Sequence, residues 1–329
     1  MRVENSQVDI LNRPRINLHK PYRVLVILAT FNGEKYLSQF LDSLRSQEEV
    51  LISLLISDDN STDNTLNIAI DYSNRFENLW IIKGQSKGPC LNFMKTLSSD
   101  FTNQFEFIAL ADQDDIWLKN HLIDSIRMIG ITKQPTLVHS NSVRIDHEGN
   151  ILSSKTQRPQ REYFRFHLVA NYSQGCTMVM NANARTEVIK YNPENIVMHD
   201  WWINMVIQSI GVVLFKLEPT VMYRIHEKNF VGIPSFRIKV TKYFKTLFGG
   251  NFRTLDQLRS LVQFHADKIN EQKLVEIKKL LRFQTDPFLH ALISAFFLRK
   301  HRDSLVEEIA FRILLIFKGK RDLDRNSFD

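Results

Sequence analysis

The run Tyr22-Arg23-Val24-Leu25-Val26-Ile27-Leu28-Ala29 does most to limit the folds open to this chain. It lacks the in-out alternation of a half-exposed strand and fits a strand covered on both faces, as in a parallel sheet. The next hundred residues agree. Tyr36, Leu37, Phe40, Leu41 and Leu44 recur at helical spacing within 34–47, and LISLLIS at 51–57 reads as a second strand. A helix from Asp63 to Tyr72, a strand at 79–83, a helix after Gly88-Pro89 and a strand at 105–111 continue the rhythm. Such alternation predicts right-handed crossovers and an open, mostly parallel α/β sheet flanked by helices.

Beyond residue 130 the rhythm loosens. The stretch 136–146 alternates and meets the turn His147-Glu148-Gly149-Asn150, which predicts a hairpin. A strand is expected at 175–181, a helix at 201–209 and a last strand at 212–218. From 236 onward the pattern is helical. The chain thus reads as three regions: a loose tail over 1–20, an α/β domain over 21–235, and a helical extension over 236–329.

That extension holds 19 Lys and Arg against 11 Asp and Glu, so the net charge of +7 resides wholly within it. It also carries 12 of the 23 phenylalanines. Cations interleaved with apolar stretches suit a membrane surface better than a nucleic acid. Packing on the α/β domain and a homodimer are the plainer readings of the same helices. Two cysteines, Cys90 and Cys176, exclude a disulfide scaffold and a four-cysteine zinc site. The charged start lacks the apolar core of a signal peptide, and no run reaches the roughly 18 apolar residues of a spanning helix. A cytoplasmic location, peripheral at a membrane, is the expectation.

In open α/β sheets ligands bind outside the carboxyl ends of the strands. Three polar clusters fall there: Thr30-Phe31-Asn32, Asp58 to Asp63, and Asp112-Gln113-Asp114-Asp115. The glycine fingerprint of a dinucleotide fold and the phosphate loop ending in Gly-Lys-Ser/Thr are both absent. A nucleotide must therefore be held partly by carboxylates. Asp112 and Asp114 suit a hard divalent cation shared with phosphate oxygens; alternatively, Asp114 or Asp115 caps a helix running from Ile116 to Met128. Asp58 or Asp59 can accept the imide N–H of a uracil or thymine, while Ser61 or Asp63 caps the next helix. Asp200, between His199 and Trp201-Trp202, suits a general base beside an aromatic platform, or a helix cap with core tryptophans. Arg224 can meet a diphosphate and His226 a metal.

Together, ATFNG, SDDNSTDNT, GPCLNF, ALADQDDIW, QGCTMVMN, MHDWW and YRIH resemble, in order and spacing, glycosyltransferase family 2 over about 22–232. The Asp-Gln-Asp-Asp-x-Trp variant resembles bacterial rhamnosyltransferase-like members that build O-antigen or capsular polysaccharide. The resemblance implies a GT-A fold, a nucleotide-diphospho-sugar donor, a divalent metal (Mg²⁺ or Mn²⁺) and inversion at the anomeric carbon. It assigns Thr30, Asn32, Asp58 and Asp59 to the nucleotide, Asp112 to the nucleotide sugar and the metal together, Asp114 to the metal as its more direct ligand, and Asp200 to the base. Trp117, Trp201 and Trp202 become candidate sugar or acceptor platforms. Where many members have Glu-Asp, this chain has His199-Asp200. The Gln-x-x-Arg-Trp motif of processive members is missing, which favours transfer of one sugar. The expected donor is dTDP-L-rhamnose, with a UDP-hexose as the rival, and the expected acceptor a lipid-linked saccharide. A non-catalytic saccharide-binding scaffold is the reading from another class.

Overall fold

The computed structural model describes residues 21–84, 87–153, 163–191, 195–226, 253–302 and 304–318. The expected tail at 1–20 and the start of the extension, 236–252, lie outside the described residues. The chain divides into two compact units: Met1–Pro159 with Ser173–Ile189 and Gly211–Arg224, and Gln160–Tyr172 with Lys190–Ile210 and Ile225–Asp329.

The first unit is built on one sheet. Its parallel half comprises β1 (Tyr22–Thr30), β2 (Val50–Asp58), β3 (Asn78–Lys83) and β4 (Phe107–Asp112). Beyond β4 the sheet is mixed. It adds β5 (Ile116–Trp117), β6 (Thr136–Ile145), β7 (Ile151–Ser153), β8 (Val179–Asn181) and β9 (Val212–Arg224) in the order β3-β2-β1-β4-β8-β6-β9-β5, with β7 beside β6. Val24 to Leu28 are fully buried, as the apolar run requires. Helix α1 (Leu37–Arg45) lays Leu37, Phe40, Leu41 and Leu44 onto that sheet, because a three-four spacing puts them on one stripe. Helices α2 (Thr65–Asp71), α3 (Pro89–Leu97) and α4 (His121–Ile129) follow β2, β3 and β5.

The register aligns the strand ends. Thr30 pairs with Asp58 and Ala29 with Asp112, so the three polar clusters leave the sheet side by side at the carboxyl edge.

Two local expectations change. Ile116 to Met128 is not one helix: Ile116 and Trp117 pair with Met222 and Val221 of β9, and α4 starts only at His121. The acidic loop therefore feeds a strand, and capping does not account for it. Residues 175–181 split into a 3₁₀ turn, Gly175–Thr177, and the short β8.

The remaining helices are α5 (Phe164–His167), α6 (Ala182–Val188), α7 (His199–Ile210), α8 (Thr254–His265), α9 (Glu271–Thr285), α10 (Phe288–Phe297) and α11 (Leu305–Lys318). All but α6 belong to the second unit. There α7 is buried from His199 to Ile207. The Val197 amide before it donates to Gln257 Oε1 of α8 at 2.9 Å, and Lys273 of α9 donates to the Gln208 carbonyl at 2.7 Å.

Candidate active site

The loop after β1 is tied to the two acidic loops bond by bond. Thr30 Oγ1 donates to Asp58 Oδ1 at 2.8 Å, and the Asn32 amide donates to Ser61 Oγ at 2.9 Å. Asn32 Oδ1 in turn accepts the Thr62 amide at 2.8 Å. Asn32 and Asn60 hold φ values of 46° and 74°, a left-handed conformation that asparagine tolerates better than most side chains. Across the site, Gln113 clamps the Phe31 peptide: its Oε1 accepts the Phe31 amide at 3.0 Å, and its Nε2 donates to the Phe31 carbonyl at 2.9 Å. A Cβ at Gly33 would collide with the Gln113 amide, so any side chain here would have to displace the clamp.

Asp58 is saturated by the protein. Besides Thr30 it accepts the Ser61 amide at 2.8 Å and Ser61 Oγ at 2.6 Å, and only 4% of it is exposed. Ser61 thus serves Asp58, while Asp63 accepts the Thr65 amide at the start of α2, at 3.0 Å. Asp59 faces the loop before α3, where its Oδ2 accepts the Gly88 amide at 3.1 Å.

The loop after β4 is electrostatically different. Ligand atoms of Asp112, Asp115 and Cys176 lie within 4.8 Å of one another. Asp115 Oδ1 accepts the Arg224 amide at 3.1 Å and the Cys176 thiol bonds the same carboxyl, but Oδ2 has no nitrogen or oxygen donor among the described residues. Burial pushes the Asp115 carboxyl well above the usual range, and the charges of Asp114 and Asp112 push it the same way. Burial, then Asp115 and Asp112, likewise raise the Cys176 thiol, which is hydrogen-bonded to the Asp115 carboxyl. Tyr223, at the end of β9, is raised by burial and by the same group. Two of these three groups offer a cation carboxylate oxygen. That donor set fits a hard ion such as Mg²⁺ or Mn²⁺, whose charge would relieve the crowding of the acids.

Several expected site residues lie deeper than their motifs suggest. Arg224 is fully buried. Its Nε donates to the Asp114 carbonyl at 2.8 Å, Nη1 to the Asp146 and His147 carbonyls at 3.0 and 3.1 Å, and Nη2 to Gln39 Oε1 at 2.7 Å, with the Tyr36 ring stacked at 4.6 Å. A guanidinium so engaged braces the acidic loop rather than standing open to a diphosphate. Trp117 is 1% exposed, donates to the Cys176 carbonyl at 3.1 Å and meets Phe40 edge-on. Trp201 and Trp202 are also interior, Trp201 donating to the His167 carbonyl at 2.8 Å. The three indoles are therefore core residues, not open platforms: each sits on an element packed on several sides. His226 follows β9 in the second unit and is half-buried.

Asp200 also lies in the second unit, in the first turn of α7, and is 9% exposed. Its Oδ1 accepts the neighbouring Trp201 amide at 2.8 Å. Burial holds the His199 imidazole below its ordinary value, against the opposing charge of Asp200.

Known proteins resemble this chain in sequence and in fold. The family model described as "Glycosyl transferase family 2" matches residues 25–184. A dTDP-rhamnosyl transferase, RfbG, of Shigella flexneri is 31% identical over 225 residues, spanning 64% of this chain and 76% of that protein. The chain belongs to glycosyltransferase family 2. Solved glycosyltransferases share its GT-A fold. S. aureus TarS 1–349, in complex with UDP-GlcNAc, superposes with a TM-score of 0.52 at 15% identity over 92% of both chains. The mannosyltransferase PcManGT of Pyrobaculum calidifontis, in complex with GDP-Man and Mn²⁺, gives 0.51 at 13% identity over 95% of this chain and 92% of that one. Within the glycosyltransferase, sequence reasoning missed Asp115, Cys176, Gln113 and Gln39. The first three stood inside quoted motifs. Gln39, on α1, gave no local signal.

Proposed function

We propose that this glycosyltransferase moves a single sugar, L-rhamnose from dTDP-L-rhamnose, onto a hydroxyl of a lipid-linked saccharide at the inner face of a bacterial cytoplasmic membrane, with inversion. One observation carries the reading: Gln113 and Asp58 bond the β1 loop to both acidic loops, so the nucleotide motif and the metal motif form one continuous wall. The name of the Shigella relative supports the donor, and the rhamnosyltransferase-like Asp-Gln-Asp-Asp-x-Trp run agrees.

In this reading Asp59 accepts the imide N–H of the base. Asp58, consumed by Thr30 and Ser61, shapes the pocket. Asp112 and Asp114 would hold the divalent cation, with Arg224 fixing the loop that carries them. The cation, when bound, neutralises the charge of the leaving diphosphate. Asp200 takes the proton of the acceptor hydroxyl, whose oxygen bonds to the anomeric carbon as the bond from that carbon to the diphosphate oxygen breaks. The diphosphate leaves with the electron pair, and the proton stays on the carboxyl.

A panel of nucleotide sugars, scored by release of nucleoside diphosphate and by transfer, tests the donor: preference for a UDP-hexose overturns the rhamnose assignment. Asp200→Asn tests the base. Asparagine would cap α7 about equally well, so a cap predicts surviving activity, whereas a base predicts a loss of about 10²–10⁴ at unchanged Tm.

A further inference from the structure

Helix α10 is turned inside out. Its buried side chains are Ala291 and Ala295, one turn apart, whereas Leu289, Leu292, Ile293, Phe296 and Phe297 project outward with 46–79% of their surfaces exposed. A helix packed onto a water-soluble core shows the reverse. The apolar face runs on to α11, where Phe317 meets Phe288 with ring centroids 5.8 Å apart and Ile309 and Ile313 also point outward.

The orientation is fixed by hydrogen bonds. Arg312 donates to the Ala295 and Leu298 carbonyls and to Glu308 Oε1, each at 2.8 Å. The other Glu308 oxygen accepts the amides of His301 and Arg302 at 2.8 Å. Rolling α10 to bury its phenylalanines would break the bonds that satisfy its terminal carbonyls.

Charge decides what covers this face. No acid stands between Asp286 and Asp303, and the exposed Arg299 and Lys300 follow α10 almost at once. The wider region, 236–329, carries 19 cations against 11 acids. We infer that α10 and α11 form an interfacial docking face for an anionic lipid bilayer. Two copies of the chain meeting here would oppose like charges, whereas anionic headgroups supply the complement. At 10 residues α10 reaches about 15 Å, half the roughly 30 Å of a hydrocarbon core, so it lies in the headgroup plane. No helix among the described residues is long and apolar enough to cross a membrane. The inference deepens the membrane location proposed above, and its test uses neither donor nor acceptor, so its failure leaves the sugar-transfer reading standing.

The test is co-sedimentation of the full chain with vesicles of phosphatidylglycerol and phosphatidylethanolamine, against phosphatidylcholine alone, at low and high salt. Binding to the anionic vesicles that weakens with salt is expected. Phe296→Ser with Phe297→Ser should lower partitioning at least about tenfold at unchanged Tm. Lys300→Gln should lower it about fivefold, mainly at low salt. Absence of binding at low salt, or equal binding by wild type and the phenylalanine variant, overturns the inference. So does a wild-type dimer that ignores vesicles and that the phenylalanine variant converts to monomer, since the face then belongs to a second copy.

Discussion

At the end of β2, Asp58 accepts three hydrogen bonds of 2.6–2.8 Å from Thr30 and Ser61. At the end of β4, Asp115 receives one amide at 3.1 Å and a thiol, and it is crowded by Asp112 and Asp114. In sequence these loops look alike, two runs of aspartates after two apolar strands. The first is satisfied by the protein itself, so its carboxylate ties the β1 and β2 loops together. The second crowds three acids together on a braced backbone, an arrangement that a cation would relieve.

The sharpest way to break this comparison is to remove one carboxylate from the β4 loop. Asp114→Asn should cut transfer by about a hundredfold or more while Tm stays level, and chelation should silence the wild type until Mg²⁺ or Mn²⁺ is returned. Full transfer in excess chelator would make the two loops equivalent. The matching change in the β2 loop should act on stability instead. Asp58→Asn turns one acceptor into a donor facing the Ser61 amide or hydroxyl, and should cost about 2 kcal/mol in chemical denaturation. A variant with wild-type stability would mean that Asp58 is not structural.

Arg224→Lys probes the brace under the β4 loop. An ammonium cannot reach four acceptors spread over three segments, so kcat/KM should fall about tenfold with a rise in donor KM. A lower Tm with unchanged kinetics would reduce Arg224 to packing. The smallest effect concerns His121, buried at the start of α4, with Nδ1 2.7 Å from Thr220 Oγ1. Burial lowers its pKa from 6.5 to about 3. The unfolded chain therefore binds the proton first, and the stability this neutral ring contributes is complete above pH 6.5 and is lost as pH falls toward 3. Denaturation midpoints at about pH 7, 5 and 4 should fall less steeply in His121→Gln; parallel curves would exclude this residue as a cause.

Much of the fold was legible because its signals are local. The run at 22–29 became β1, the spacing at Leu37, Phe40, Leu41 and Leu44 became the buried stripe of α1, and Gly88-Pro89 opened α3. The turn after Ile145 closed the β6–β7 hairpin as expected. The misreadings came where a distant partner overrode local preference. Ile116 and Trp117 follow helical spacing into α4, yet β9 draws them into strand pairing across more than a hundred residues.

By itself, then, the sequence determined the order of strands and helices, the three polar clusters at strand ends and the family motifs, because periodicity and turn chemistry act over a few residues. Tertiary structure alone decided which aspartate is saturated and which is crowded, because Thr30, Gln113, Cys176 and Arg224 come from four distant segments. It also decided that three tryptophans lie in the interior and that α10 faces its phenylalanines outward. An apolar stripe specifies that a helix has a greasy side. Which way that side points is set by what else packs there, and here Arg312 and two alanines set it.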